Sequence, residues 1–185
     1  MSRGKTDRRY ITYQLILAGL TAAFYVILTI FSAFFNLAYG PIQFRISEAM
    51  CILPAFFPSS IAGLTVGCII SNFFNPSPMM LIDVLVGSTA TLLAAVLGRM
   101  LRNIRFRGIP WLLPLPAVLI NAVAVGLELT FFVEGAAGFW IVAAEVALGQ
   151  VVCCYGIGLP LYVCLQRVGF AKLAQKHSKW GSELK

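Results

Sequence analysis

Arg99-Met-Leu-Arg-Asn-Ile-Arg-Phe-Arg107 decides how this chain is folded, because the side of a membrane on which these arginines lie fixes how often the chain has crossed before reaching them. Around this stretch the sequence is almost wholly apolar. Of 185 residues, 59% are hydrophobic and 11% charged, with a mean hydropathy of +0.87. That composition lies far from a soluble domain and predicts an all-α integral membrane protein. A spanning helix needs roughly 20 apolar residues, so a chain of this length holds at most about six spans and no separate soluble domain. The first apolar run, residues 11–35, is too long for the core of a cleaved signal peptide and reads as a retained helix.

The net charge of +7 is clustered. Arg3, Lys5, Arg8 and Arg9 precede the first apolar run, Arg99, Arg102, Arg105 and Arg107 share one connection, and Arg167, Lys172, Lys176, Lys179 and Lys185 follow the last run. Only Arg45 lies elsewhere. Basic clusters at span ends are a topology signal and not a nucleic-acid footprint, and they place both termini and the middle connection in the cytoplasm. Six spans satisfy all three clusters, whereas merging the second and third runs into one would put residues 99–107 outside. The expected spans are residues 11–35, 49–57, 61–74, 79–100, 114–133 and 139–165. The second is too short to cross as an α-helix, and Pro54 and Pro58 disfavour a continuous one. A short or broken helical hairpin around Pro58-Ser59-Ser60 is therefore expected, its irregular backbone buried against other helices or facing a cavity. The whole chain then forms a single membrane domain, with residues 1–10 and 166–185 as basic cytoplasmic ends and residues 11–165 as the bundle.

Within this frame the acids are informative. Glu48, Asp83, Glu128 and Glu145 interrupt apolar segments, and ionisable groups inside a membrane are costly enough to mark functional positions by default. All four fall in the outer half of the membrane or in the outer connections, as expected for one polar pocket open to the outside. The first outer connection, residues 36–47, is long and reads NLAYGPIQFRIS, with Gly40-Pro41 as a turn signal. It offers Gln43 and Arg45 just before Glu48, with Tyr39 and Phe44 as flat apolar faces, and functional lids are built from such loops. An ordinary surface loop with an Arg–Glu ion pair is the plainer alternative.

On the fourth span, Asp83, Gly87 and Thr91 share a face. Asp83 either lines the pocket or only suits the positive end of its helix. Asn121 and Glu128 lie two turns apart on one face of the fifth span. Glu145 lies about 10 Å below the outer end of the last span at 1.5 Å per residue. Each glutamate either binds solute or answers a structural hydrogen bond, and Trp140 is either a ligand platform or an interfacial anchor. Carboxylates, amides and aromatic rings around one cavity suit a flat, hydrogen-bonding and cationic solute, since a carboxylate accepts two parallel N–H bonds from an amidine-like edge. The same acids would also serve a proton relay.

Other chemistry finds little support. Gly4-Lys5-Thr6 lacks the upstream glycine of a phosphate-binding loop. The single histidine, His177, lies in the tail, and Cys51, Cys68, Cys153, Cys154 and Cys164 lack ligand spacing, so no metal, cofactor or enzymatic site is expected. On the first span, Ala18 and Ala22 form a small-xxx-small pattern overlapped by Gly19 and Ala23, a packing face for another helix either within the chain or in a partner.

The residues Tyr39-Gly-Pro-Ile-Gln-Phe-Arg-Ile-Ser-Glu-Ala49, Leu53-Pro54, Gly63 to Asn72, the VLVGSTATLL run after Asp83, Asn121-Ala-Val-Ala-Val-Gly-Leu-Glu-Leu129 and Gly149 to Pro160 carry a family resemblance. Over about residues 15–165 the chain resembles the substrate-binding S component of energy-coupling factor (ECF) transporters, and within that group the QueT family of importers of queuosine precursors. The resemblance implies a chain of the bacterial cytoplasmic membrane that captures a 7-deazaguanine, such as 7-aminomethyl-7-deazaguanine or queuine, at the outer face. It implies as partners a transmembrane coupling protein, contacted through Ala18 and Ala22, and two cytoplasmic ATPase subunits. The expected substrate-binding set is Glu128, Glu145, Asn121, Asp83, Gln43, Arg45, Glu48, Tyr39, Trp140 and Asn72. A stand-alone proton-coupled transporter of a small polar solute is the alternative.

Overall fold

The computed structural model describes residues 3–38, 43–75, 79–133 and 135–170. Helix α1 covers Arg3–Phe34, and a 3-10 helix follows at Ile46–Ala55. Then come α2 (Ser59–Phe73), α3 (Met80–Leu101) and α4 (Leu115–Phe132). The last run is α5 (Phe139–Val151), which passes through a π-helical segment, Val152–Gly158, into α6 (Leu159–Arg167). Four stretches are long and apolar enough to cross a membrane: Tyr10–Phe34, Met80–Leu101, Leu115–Phe132 and Phe139–Arg167. Two shorter apolar helices, Ile46–Ala55 and Ser59–Phe73, complete the set. The all-helical architecture expected from composition is therefore present, with helical structure in every expected span.

The second expected span is short, and it is a 3-10 helix. It begins at Ile46, ahead of the expected position 49, because the polar residues at its start find buried partners on α1. The Tyr25 hydroxyl donates to Glu48 Oε1 (2.5 Å), the Thr29 hydroxyl to Ser47 Oγ (2.7 Å), and the Ile46 amide to Ser32 Oγ (3.1 Å). Tyr25, Thr29 and Ser32 recur at the i, i+4, i+7 spacing of one helix face, so α1 presents a polar stripe that the chain 46–48 follows bond by bond. At about 2.0 Å per residue, a ten-residue 3-10 helix reaches roughly 20 Å, further than an α-helix of equal length would. Its far end is held by Arg99, whose Nη1 donates to the Pro54 carbonyl (2.5 Å), a cation answering C-terminal carbonyls. A turn through Phe56 to Pro58 then leads into α2.

Close helix contacts use small residues. A Cβ on Gly63 would lie 2.6 Å from the Ala18 carbonyl oxygen, and one on Gly67 would lie 2.8 Å from Tyr25 Cβ. The Ala18/Ala22 pattern of α1 thus packs on Gly63 and Gly67 of α2 within this chain, with Ala22 buried and Ala18 half-buried. Its overlapping pair, Gly19 and Ala23, is exposed. At Gly126 a Cβ would meet Ala143 Cβ at 3.1 Å, which seats α4 on α5. The π segment lies against the 3-10 helix, where Gly158 leaves room for the Ala49 carbonyl and the Cys154 thiol donates to the Glu48 carbonyl (3.5 Å). All five cysteines are free, as expected of small apolar packing residues.

Candidate functional site

The C-terminal end of α2, the start of α3 and the end of α4 meet at one end of the bundle, together with the segment 43–45. Between them lies a cavity of about 140 Å³ lined by Gln43, Arg45, Asn72, Asn75, Met79, Asp83, Gly87, Val125, Glu128, Leu129 and Val133. It is smaller than the roughly 300–1,000 Å³ of drug-sized sites and suits one compact solute. The antiparallel run of α3 places this cavity at the end of the bundle opposite residues 99–107.

Each polar group in the cavity has an identifiable support. Arg45 precedes the 3-10 helix in extended backbone, with its Nε donating to the Ala38 carbonyl (2.9 Å) and its Nη1 to Asn72 Oδ1 (3.2 Å). Asn72 is 1% exposed, and its Nδ2 donates to the backbone carbonyl of Asp83 (2.9 Å). Gly87 makes this possible, because a Cβ there would lie 2.6 Å from Asn72 Nδ2. Asp83 stands in the first turn of α3, and its Oδ2 accepts from Asn75 Nδ2 (2.7 Å), so it ties α3 to the end of α2. Gln43 is buried, its backbone pressed against Gly149 of α5 so closely that a Cβ there would overlap the Gln43 carbonyl.

Glu128 differs from these. It is 4% exposed and lines the cavity, yet its Oε1 has no hydrogen-bond partner, and the Asp83 carboxyl is its interacting neighbour. A buried carboxylate oxygen without a donor is expensive and is relieved by any N–H or O–H that enters. The arrangement of two acids, one arginine and neutral amides accepts hydrogen-bond donors and a positive charge, and Arg45 offers donors to a carbonyl oxygen.

Of the residues expected from sequence, the cavity gathers Gln43, Arg45, Asn72, Asp83 and Glu128. Asn121 is buried on the same face of α4 two turns away, with its Nδ2 also unpartnered, but it is not in the lining. Glu48 lines a separate, water-sized cavity of about 10 Å³ with Tyr25, Cys51 and Thr91. Glu145 is half-buried on α5 and Trp140 is 83% exposed, and neither lines either cavity. Tyr39 lies outside the described residues. Sequence reasoning did not single out Asn75, Met79, Val125, Leu129 and Val133. Asn75 was open to notice, since it stands three residues beyond Asn72. Val125 likewise lies between Asn121 and Glu128 on their shared face. Among the described residues no cluster of His, Cys, Asp or Glu is suited to a metal ion.

Long apolar helices surrounding a polar cavity at one end define a multi-pass membrane protein. Residues 15–167 match the model of the QueT transporter family, so the chain belongs to that family. It is similar to the queuosine precursor transporter QueT of Lactococcus lactis subsp. cremoris (strain MG1363), with 40% identity over 90 residues. That alignment covers 49% of this chain and 52% of the relative, so the match spans about half of the relative's length. No solved structure matches the chain.

Proposed function

We propose that the chain is the substrate-capturing S component of an ECF-type importer, binding a 7-deazaguanine queuosine precursor in the cavity between α2, α3 and α4. The observation that carries this reading is the unpartnered, buried Oε1 of Glu128 inside a cavity it shares with Asp83 and Arg45. The N1–H and 2-amino edge of a deazaguanine presents two parallel donors to Glu128, and Arg45 or Gln43 reaches the ring carbonyl. Asp83 meets an aminomethyl ammonium group where the solute carries one. Six spans with both termini cytoplasmic put the cavity at the outer face of the bacterial cytoplasmic membrane, in agreement with the three basic clusters.

In this reading energy comes from partners, a coupling protein and two ATPases. The coupling protein meets α1 along its small-residue pattern. Because Ala22 is buried against α2, that contact is approached from the Gly19 and Ala23 side, with Ala18 at its edge. Calorimetric titration of the purified chain with 7-aminomethyl-7-deazaguanine, against guanine, riboflavin and biotin, tests the solute. Tight binding of the deazaguanine alone is expected, and binding of none of the four overturns the assignment. Co-purification of the coupling protein and ATPases, lost in Ala23→Trp, separates this reading from a stand-alone proton-coupled transporter.

A further inference from the structure

Residues 104–111, between α3 and α4, fold into a feature remote from the cavity. After α3 ends at Leu101, Phe106 and Ile109 pair through two backbone bonds, Phe106 N to Ile109 O (3.0 Å) and Ile109 N to Phe106 O (3.1 Å). The two residues between them, Arg107 (φ 52°) and Gly108 (φ 81°), both have positive φ, the signature of a tight two-residue hairpin turn. The foot of this hairpin is fixed. Pro110 and Leu113 are buried, and the Tyr155 hydroxyl donates to the Trp111 carbonyl (3.0 Å).

On that fixed foot stands an exposed surface of alternating character. Arg105 and Arg107 are exposed beside Ile104, Phe106 (67% exposed) and Trp111 (48%), and the Arg107 guanidinium lies 5.6 Å from the Phe106 ring centroid. Between Asp83 and Glu128 the sequence carries no acid that would neutralise these arginines. The adjoining stretches, Met80–Leu101 and Leu115–Phe132, are both membrane-spanning candidates, so the connection between them sits where hydrocarbon gives way to headgroups. Exposed aromatic rings belong at that depth. Guanidinium groups bind phosphate oxygens in pairs of parallel bonds.

We propose that the hairpin at residues 104–111 is a docking surface for anionic phospholipid, with Arg105 and Arg107 on the headgroup phosphate and Phe106 and Trp111 seated among the upper acyl carbons. Charge complementarity selects lipid of net negative charge over zwitterionic lipid, by about five-fold for each arginine engaged. The turn fixes the backbone from which both arginines project, so their spacing is set before a headgroup arrives.

Trp111 reports on this surface directly. In Trp140→Phe/Trp180→Phe full-length protein it is the remaining tryptophan, and vesicles in which either phosphatidylglycerol or phosphatidylcholine carries brominated acyl chains show which lipid is its neighbour. The expected result is quenching that favours phosphatidylglycerol by roughly 25-fold in relative association, about five-fold for each of the two arginines. The preference should fall close to unity in Arg105→Gln/Arg107→Gln and survive in Arg105→Lys/Arg107→Lys, which guards against misfolding as the cause. Equal quenching by both lipids in the arginine-bearing protein overturns the proposal and leaves the hairpin as a surface for another protein. A preference that persists in the glutamine pair overturns it as well.

Discussion

Glu48 and Glu128 are carboxylates of nearly equal burial, 6% and 4% exposed, in one small membrane protein, and they are treated in opposite ways. Glu48 receives the Tyr25 hydroxyl at 2.5 Å within a seam where Thr29 and Ser32 also bond the chain 46–47. Glu128 faces a cavity of about 140 Å³ with one oxygen unanswered. The seam fixes the 3-10 helix to α1 and answers Glu48 Oε1 from within the protein. The cavity keeps an acceptor that only an incoming donor relieves. Burial of an acid therefore does not by itself distinguish a site from a structural joint; the destination of its hydrogen bonds does.

The largest effect that tests this contrast is on solute affinity. Glu128→Gln keeps the shape and removes the charge, and a hydrogen bond to a charged group contributes about 1.5–3 kcal/mol. Affinity for 7-aminomethyl-7-deazaguanine should fall by roughly ten- to a hundred-fold in calorimetry, with the thermal midpoint unchanged or raised. Glu145→Gln, outside the cavity lining, should bind as the parent does. Equal losses from the two substitutions would break the distinction between them.

The reciprocal experiment acts on the seam. Tyr25→Phe removes the donor and leaves Glu48 Oε1 buried, at a cost of about 1–3 kcal/mol. Unfolding of the detergent-purified protein should shift to lower temperature while solute affinity changes less than two-fold. A stable variant that binds poorly would mean that Glu48 serves the solute and not the fold.

Much of this division was open to inspection in the sequence. Composition and the segment pattern specify an all-helical membrane protein, because about 20 apolar residues in a row have few other uses. The two prolines at 54 and 58 mark the short second helix. Its 3-10 form and early start at Ile46 depend on Tyr25, Thr29 and Ser32, whose partners lie up to 23 residues away and carry no local signature. The acids were all visible, but sorting them required knowing which face of each helix meets which neighbour. Asp83 and Glu128 share the cavity because α3 and α4 are packed side by side, whereas α5, which carries Glu145, contributes no residue to its lining.

The smallest expected effect probes the hydrogen-bonded support that places Arg45 in the cavity. Both ends of the Asn72 amide are engaged by the protein, Oδ1 by Arg45 and Nδ2 by the Asp83 carbonyl. Gly87 leaves the space that Nδ2 occupies. In Gly87→Ala the new Cβ, 2.6 Å from Nδ2, forces the amide to turn and loosens the placement of Arg45. The substitution also raises helix propensity by up to about 1 kcal/mol, which offsets the lost hydrogen bond in the stability of the fold. The two consequences therefore separate: affinity should drop by about three- to ten-fold while the thermal midpoint moves little. Asn72→Ala should reproduce the affinity loss without the propensity gain. Were Gly87→Ala to bind as tightly as the parent, the contacts that Arg45 makes elsewhere, the Ala38 carbonyl among them, would suffice to place it, and the Asn72 bridge would be dispensable to the cavity.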